Sequence, residues 1–192
     1  MRIGLFFGSF NPIHSGHLLI ANYMVDFTDI EKIWFVISPQ NPFKSNDDLL
    51  DENQRLHLLN LAIENDDRFE TCSVEFSLER PSYTINTLTF LSKEYPQHTF
   101  IPIIGGDNLQ NFHKWKDFDK ILSEHELYVY RRAGFHENPI LANHSKIKLF
   151  DVPLLNISST YIREILQAGK NISYLVPEKV RLEILRLGLY QS

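Results

Sequence analysis

Two histidines three residues apart, His14 and His17, stand in the segment Gly8-Ser9-Phe10-Asn11-Pro12-Ile13-His14-Ser15-Gly16-His17-Leu18. A neutral imidazole donates a hydrogen bond, and at the start of a helix it also meets the positive end of the helix dipole. That pairing suits a phosphate oxygen. Gly8 and Gly16 permit close backbone approach, and Pro12 fixes the loop between them. If both histidines lie in the first helical turn, they share a face. Two other readings of the pair remain at this point. One is an ordinary helix start with two surface histidines. The other is a zinc site, for which a nearby third ligand or cysteine is missing.

A second polar cluster lies far along the chain, at Ile157-Ser158-Ser159-Thr160-Tyr161-Ile162-Arg163. Either serine can cap a helix, offering a hydroxyl and free N–H groups to an anion. Arg163, one turn on, can bring a planar fork of donors to the same spot. By itself the cluster is equally a plain N-cap followed by a surface arginine.

Chemistry of this kind needs elements to aim it. Residues 2–7 read as a strand, and residues 16–28 as a helix with Leu18, Ala21 and Val25 on one face. Lys32 to Ile37 is an apolar run of the kind buried in parallel sheets. A Pro- and Asn-rich loop runs from Ser38 to Leu50. Asp51 then reads as a helix cap with Gln54 at the capping-box position, and Leu56, Leu59 and Ile63 as the buried stripe. Residues 69–75 form a weaker strand, and about Thr84 to Glu94 a helix with Ile85, Leu88 and Leu91 inward. Further strands are expected at 99–104, 127–130 and 146–150. A helix opening at Ser158 or Ser159 ends at Gly169. The last helix starts at Pro177, buries Val180, Ile184 and Leu187, and stops at Gly188. Residues 133–145 read as loop. Alternating strands and helices predict an α/β fold, doubly wound around a mainly parallel sheet. Ligands in such folds bind beyond the C-terminal ends of the strands. The clusters at 8–17, 38–44 and 105–108 all fall there.

Bulk properties narrow the classes further. The chain has 192 residues, 43% hydrophobic and 22% charged, with a net charge of −5. One domain with a proper core is expected. The acidic balance argues against general nucleic-acid binding but not against a small nucleotide. The single cysteine, Cys72, has no neighbouring base and is expected to be a buried structural residue in a reducing compartment. No apolar run approaches the ~18 residues needed to cross a membrane. The first apolar stretch is too short for a signal peptide. A soluble cytoplasmic protein is expected.

Gly8, Phe10, Pro12, His14, Gly16 and His17 match every fixed position of the pattern Gly-x-Phe-x-Pro-x-His-x-Gly-His, and the chain thereby resembles the nucleotidylyltransferase superfamily. Residues 157–163 resemble its second signature, Ile-Ser-Ser-Thr-x-Ile-Arg. Intervening segments are similar to the bacterial nicotinate-nucleotide adenylyltransferase family. They are Ser38 to Lys44, Ser82-Tyr83-Thr84 with Thr87-Leu88, Ile104-Gly105-Gly106-Asp107, Phe112-His113-Lys114-Trp115 and Arg131-Arg132-Ala133-Gly134. Phe43 stands where the family usually has His, and Ala133 where it has Pro.

The resemblance implies a single Rossmann-like domain over 1–192, with residues 158–192 forming C-terminal helices. It implies adenylyl transfer from ATP to nicotinate mononucleotide, giving nicotinate adenine dinucleotide and pyrophosphate in NAD biosynthesis. His14, His17, Lys44 and Arg163 would be catalytic. Gly8, Ser9, Phe10, Gly16, Gly105, Asp107, Ile157, Ser158 and Ser159 would hold ATP. Asn41, Tyr83, Thr84 and Trp115 would hold the mononucleotide, with Trp115 stacked on the pyridine ring. Mg²⁺ would be bound mainly through ATP phosphates, without protein ligands. Neither nucleic acid nor membrane is an expected partner, and a homo-oligomer is left open. The rival readings are a transferase acting on nicotinamide mononucleotide or another phosphate acceptor, and a catalytically idle nucleotide sensor.

Overall fold

A computed structural model describes residues 1–39, 49–131, 141, 144–153 and 155–191. Six strands form one sheet: β1 (Arg2–Gly8), β2 (Lys32–Ile37), β3 (Phe69–Cys72), β4 (Thr99–Gly105), β5 (Leu127–Tyr130) and β6 (Ile147–Phe150). Their order is β3-β2-β1-β4-β5-β6, and every pairing is parallel. The expected mainly parallel sheet is thus wholly parallel among the described residues. The chain runs outward from β1 through β2 to β3, then returns to add β4 on the other side of β1. Strand order therefore reverses between β1 and β4, and a crevice opens beyond their C-terminal ends, Gly8 and Gly105.

Among the described residues seven α-helices cover the sheet: α1 (Ser15–Phe27), α2 (Glu52–Ile63), α3 (Thr84–Glu94), α4 (Gly106–Gln110), α5 (Phe118–Glu124), α6 (Ser159–Gln167) and α7 (Glu178–Leu187). One face of the sheet, including Phe6, Phe35 and Ile103, packs on α1, α2, α6 and α7. The other, including Leu5, Val36 and Ile104, packs on α3, α4 and α5. Burial on both faces explains the continuous apolar strands. Cys72 is buried at the end of β3, and burial pushes its thiol up to about 11, out of the nucleophilic range. Among the described residues no helix is long and apolar enough to cross a membrane.

Several elements differ from expectation. β3 ends at Cys72, and Val74–Phe76 turns instead as a short 3-10 helix. α4 and α5 lie where no helix was expected. The inward faces of three helices are rotated. In α1, Ile20 and Met24 are buried, while Leu18 and Val25 are only partly so. In α2 the stripe begins with Arg55 and includes Leu58, with Leu56 at its margin. In α7, Leu187 is exposed, because Gly188 turns left-handed at φ 64° and Leu189 takes the buried place. The Leu189 N–H donates to Ile184 O at 3.0 Å across that turn.

Candidate active site

β1 ends at Gly8, and the chain folds over the strand end with Phe10 at φ 46°. A Cβ on Gly8 would sit 2.8 Å from the Phe10 ring, so only glycine leaves room for that fold. Phe10 is 2% exposed and forms one wall around His17. Ring centroids of Phe10 and His17 are 5.1 Å apart, those of Phe6 and His17 6.0 Å, and His14 stacks on His17 at 3.6 Å. His14 is the N-cap of α1 and is buried. Its backbone N–H donates to His17 Nδ1 at 3.3 Å. An accepting Nδ1 places the proton of the neutral ring on Nε2. His17 is thereby fixed as a donor through its far nitrogen. Gly16 serves the same pair, since a Cβ there would press His14 at 3.1 Å.

The helix terminus itself is less open than the strand–turn–helix pattern implied. The Ser15 N–H donates to Leu175 O at 2.8 Å, and the His17 N–H to His14 O at 3.0 Å. The preceding turn compensates. Arg55 Nη1 donates to Ser9 O at 2.6 Å, Arg163 Nη1 to Asn11 O at 3.0 Å, and the Ser159 hydroxyl to Pro12 O at 2.9 Å. Three carbonyls of the turn are thus drawn toward α2 and α6. In a trans peptide C=O and N–H point in opposite directions, so the Phe10 and Ile13 amides face away from those helices. Oriented backbone amides of this kind make an anion-binding concavity.

The two signature segments therefore meet, but with divided labour. Ser158 caps α6, its Oγ accepting from the Tyr161 N–H at 3.1 Å. Ser159 and Arg163 brace the turn. Ile157 packs against the core beside them. Sequence reasoning missed Arg55. It is 1% exposed and donates to three carbonyls: Ser9, Ser38 at 3.0 Å and Leu50 at 2.8 Å. Burial lowers its pKa from the ordinary arginine value, yet an arginine stays charged. Among the described residues no carboxylate forms an ion pair with Arg55 or Arg163. The available signal was a charged residue at position 55, in register with Leu58, Leu59 and Ile63.

Beside the turn lies a cavity of about 130 Å³. An engineered cavity of ~150 Å³ is known to hold one benzene, so the space is on the scale of a single aromatic ring. Gly8, Gly105, Tyr83, Thr84 and Trp115 all line it, as expected of residues gathered at the switch point. Tyr83 is the N-cap of α3 and makes no side-chain cap, leaving that helix terminus without a capping oxygen. Trp115 packs on Phe112 at a centroid separation of 5.1 Å. Lys116 Nζ lies 4.8 Å from the centre of the Tyr83 ring, bringing a cation to the pocket wall. Glu75, also missed, lines the same cavity while being 1% exposed. Asp107 lies just past Gly105 in the first turn of α4. Asn41 and Lys44, together with Phe43 and Ala133, lie outside the described residues.

A Rossmann-type parallel sheet that gathers a braced backbone turn, a stacked histidine pair and a ring-sized cavity at one switch point has the architecture of a nucleotide-handling α/β protein. The family model described as cytidylyltransferase-like matches residues 5–165. The chain is 49% identical over 192 residues to the probable nicotinate-nucleotide adenylyltransferase of Cytophaga hutchinsonii, covering 100% of both chains. It is 48% identical to the protein of the same description from Flavobacterium johnsoniae, covering 94% of each. The chain therefore belongs to the cytidylyltransferase-like family and, within it, to the nicotinate-nucleotide adenylyltransferases. Among solved structures, Plasmodium falciparum nicotinic acid mononucleotide adenylyltransferase complexed with NaAD superposes with a TM-score of 0.81 at 22% identity, over 98% of this chain and 97% of that one. A putative nicotinate-nucleotide adenylyltransferase from Vibrio parahaemolyticus gives 0.74 at 21% identity, over 100% and 96%. These two likenesses establish the fold.

Proposed function

We propose that the protein transfers the adenylyl group of ATP to nicotinate mononucleotide, releasing pyrophosphate. The observation that carries this reading is the adjacency, at one switch point, of the braced turn around His17 and the ring cavity beneath the uncapped start of α3. A 5′-phosphate oxygen of the mononucleotide attacks the α-phosphorus of ATP and forms the new P–O bond. The bond from that phosphorus to the α–β bridging oxygen breaks, and its electron pair leaves with pyrophosphate. The attacking oxygen is already anionic at neutral pH, so no general base is required. Rate then comes from positioning and from stabilising charge on the reacting phosphate.

His17 Nε2 is the donor placed for the α-phosphate. The Phe10 and Ile13 amides serve the neighbouring oxygens. Arg163 and Ser159 keep the turn in shape, and the positive charges of Arg163 and Arg55 favour the polyphosphate. Lys44 is proposed as a further phosphate cation. Gly105 and Asp107 stand at the end of β4, where a nucleotide ribose would pass. Tyr83, Thr84 and Trp115 hold the pyridine ring, with the α3 terminus and Lys116 favouring its carboxylate. Among the described residues no group of three or more His, Cys, Asp or Glu is placed to hold a metal ion. Mg²⁺ is proposed to arrive on the triphosphate with water as its other ligands, where it would neutralise phosphate charge.

The test is pyrophosphate release with ATP, Mg²⁺ and one acceptor at a time: nicotinate mononucleotide, its amide, phosphopantetheine or glycerol phosphate. The acid mononucleotide is expected to give the highest kcat/KM. A higher value for phosphopantetheine or glycerol phosphate would overturn the acceptor assignment, and no turnover with any of the four would leave the nucleotide-sensor reading standing.

A further inference from the structure

Glu75 is an anomaly in the ring cavity. Its Oε1 accepts from Thr87 Oγ1 at 2.8 Å, while Oε2 is fully buried without a hydrogen-bond partner. No cation pairs with it among the described residues. Burial raises its pKa, with the neutral hydroxyls of Thr87, Ser82 and Ser38 opposing. A buried carboxylate that faces only neutral hydroxyls and no cation is costly to ionise, and a pocket for an anion should not contain a second anion. Both difficulties vanish if the carboxyl is neutral and its proton is on Oε2, since Oε1 is already an acceptor in use.

We propose that Glu75 is a specificity-determining residue, a neutral carboxylic acid that donates from Oε2 to the ring substituent of the acceptor and so favours a pyridine carboxylate over a carboxamide. The proposal rests on the acceptor assignment above. A ring carboxylate accepts this hydrogen bond directly. A carboxamide can accept it only by leaving its own NH₂ group facing a site whose acceptor is occupied. Ionised Glu75 reverses the preference: it repels the carboxylate and accepts from the amide. The groups around it are Thr87 from α3, Ser38 from the end of β2, Ser82 and Tyr83 from the segment before α3, Lys114 and Lys116 beyond α4, Tyr130 from β5, and Cys72 from β3. Burial pushes the Cys72 thiol up to about 11, so it stays neutral over the pH range of the test, and Glu75 is the carboxyl group among them whose ionisation the test reads.

The experiment measures kcat/KM for nicotinate mononucleotide and for nicotinamide mononucleotide with ATP and Mg²⁺, from about pH 5.5 to 8.5. Ionisation of the substrate phosphate affects both and cancels in the ratio. The acid-to-amide ratio of the wild-type protein is expected to fall about tenfold or more as pH rises, the scale of a hydrogen bond to a charged group. Glu75→Gln, which always presents a donor, is expected to retain turnover with a ratio independent of pH. A wild-type ratio that does not move, or a Glu75→Gln ratio that keeps the wild-type slope, overturns the proposal. Because the wild-type arm needs no variant, a misfolded Glu75→Gln would not rescue it. Turnover of neither mononucleotide would overturn the acceptor assignment and the Glu75 role with it.

Discussion

At the N-terminal edge of the sheet, Arg2, Asp29, Glu126 and Lys148 surround the Tyr128 hydroxyl. Arg2 pairs with Asp29 at 3.2 Å and with Glu126, and Lys148 pairs with Glu126 at 3.0 Å. At the C-terminal edge, Arg55 and Arg163 spend their donors on the carbonyls of Ser9, Ser38, Leu50 and Asn11. The two edges draw on the same residue types. The first pairs its arginine and lysine with carboxylates, and at the second, among the described residues, neither arginine forms an ion pair. A carbonyl fixes where an arginine sits without neutralising it, so the field at the second edge remains available to a polyphosphate. The comparison predicts large kinetic effects from substitutions at the C-terminal edge and small, purely thermodynamic ones at the other.

The largest effect should come from His17. His17→Ala removes the donor proposed for the reacting phosphate and the ring that His14 stacks on. Loss of a comparable transition-state donor costs about 2.7–4 kcal/mol, so kcat should fall roughly 10²–10³-fold. His17 is only half-buried, and melting temperature should change little. Steady-state kinetics beside a thermal melt separates the two. A kcat within a few-fold of wild type would remove His17 from the chemistry.

Arg55 ranks second, because it acts through the turn and touches no reacting atom. Arg55→Lys keeps the charge but replaces a planar fork with one ammonium, which cannot meet three diverging carbonyls. Each carbonyl left buried and unsatisfied costs about 1–3 kcal/mol. The urea midpoint should drop accordingly. If Arg55 also positions the phosphate turn, kcat should fall about tenfold while KM for the mononucleotide, whose cavity it does not line, changes less. A stability loss with kcat intact would confine Arg55 to a structural role.

Arg55 and Glu75 also mark the boundary of what sequence alone conveys. The strand–turn–helix segment at 2–27 was legible because its parts are contiguous: glycines, Phe10, Pro12 and the histidines follow one another in it. So was the parallel sheet, whose strands are continuous apolar runs. Arg55 braces Ser9 across 46 positions of sequence, and no periodicity reports a hydrogen bond to a distant carbonyl. Glu75 stands inward because β3 stops early and a 3-10 turn rotates it, whereas continued alternation would have left it on a strand. α4 and α5 were invisible for a simpler reason. At five and seven residues they are too short to develop a helical apolar period, and neither has a side-chain cap to announce it. Ser159 adds a contact that residue type alone does not report: its hydroxyl donates to Pro12 O across 147 positions of sequence.

The smallest effect belongs to the N-terminal edge. Glu126→Gln removes one carboxylate from the Arg2–Lys148 network while keeping its size. Burial works to raise the Glu126 pKa, but hydrogen bonds from Arg2 and Lys148 outweigh it, and the net shift is downward. A carboxylate lowered in the folded state adds stability above its unfolded value, about 4.3 for Glu, and that contribution is lost as pH falls through the folded value. Glu126 is only partly exposed, but its partners are about a third or more exposed, so solvent screening holds the contribution below about 1 kcal/mol. Glu126→Gln should therefore shift the urea midpoint slightly at pH 7 and not at all well below pH 4, where the wild-type carboxylate is protonated too. Mononucleotide and ATP kinetics should be unchanged, because the strands β1 and β5 lie between this network and the crevice. A kinetic effect equal to that of Arg55→Lys would mean that charge at either edge of the sheet serves the same site.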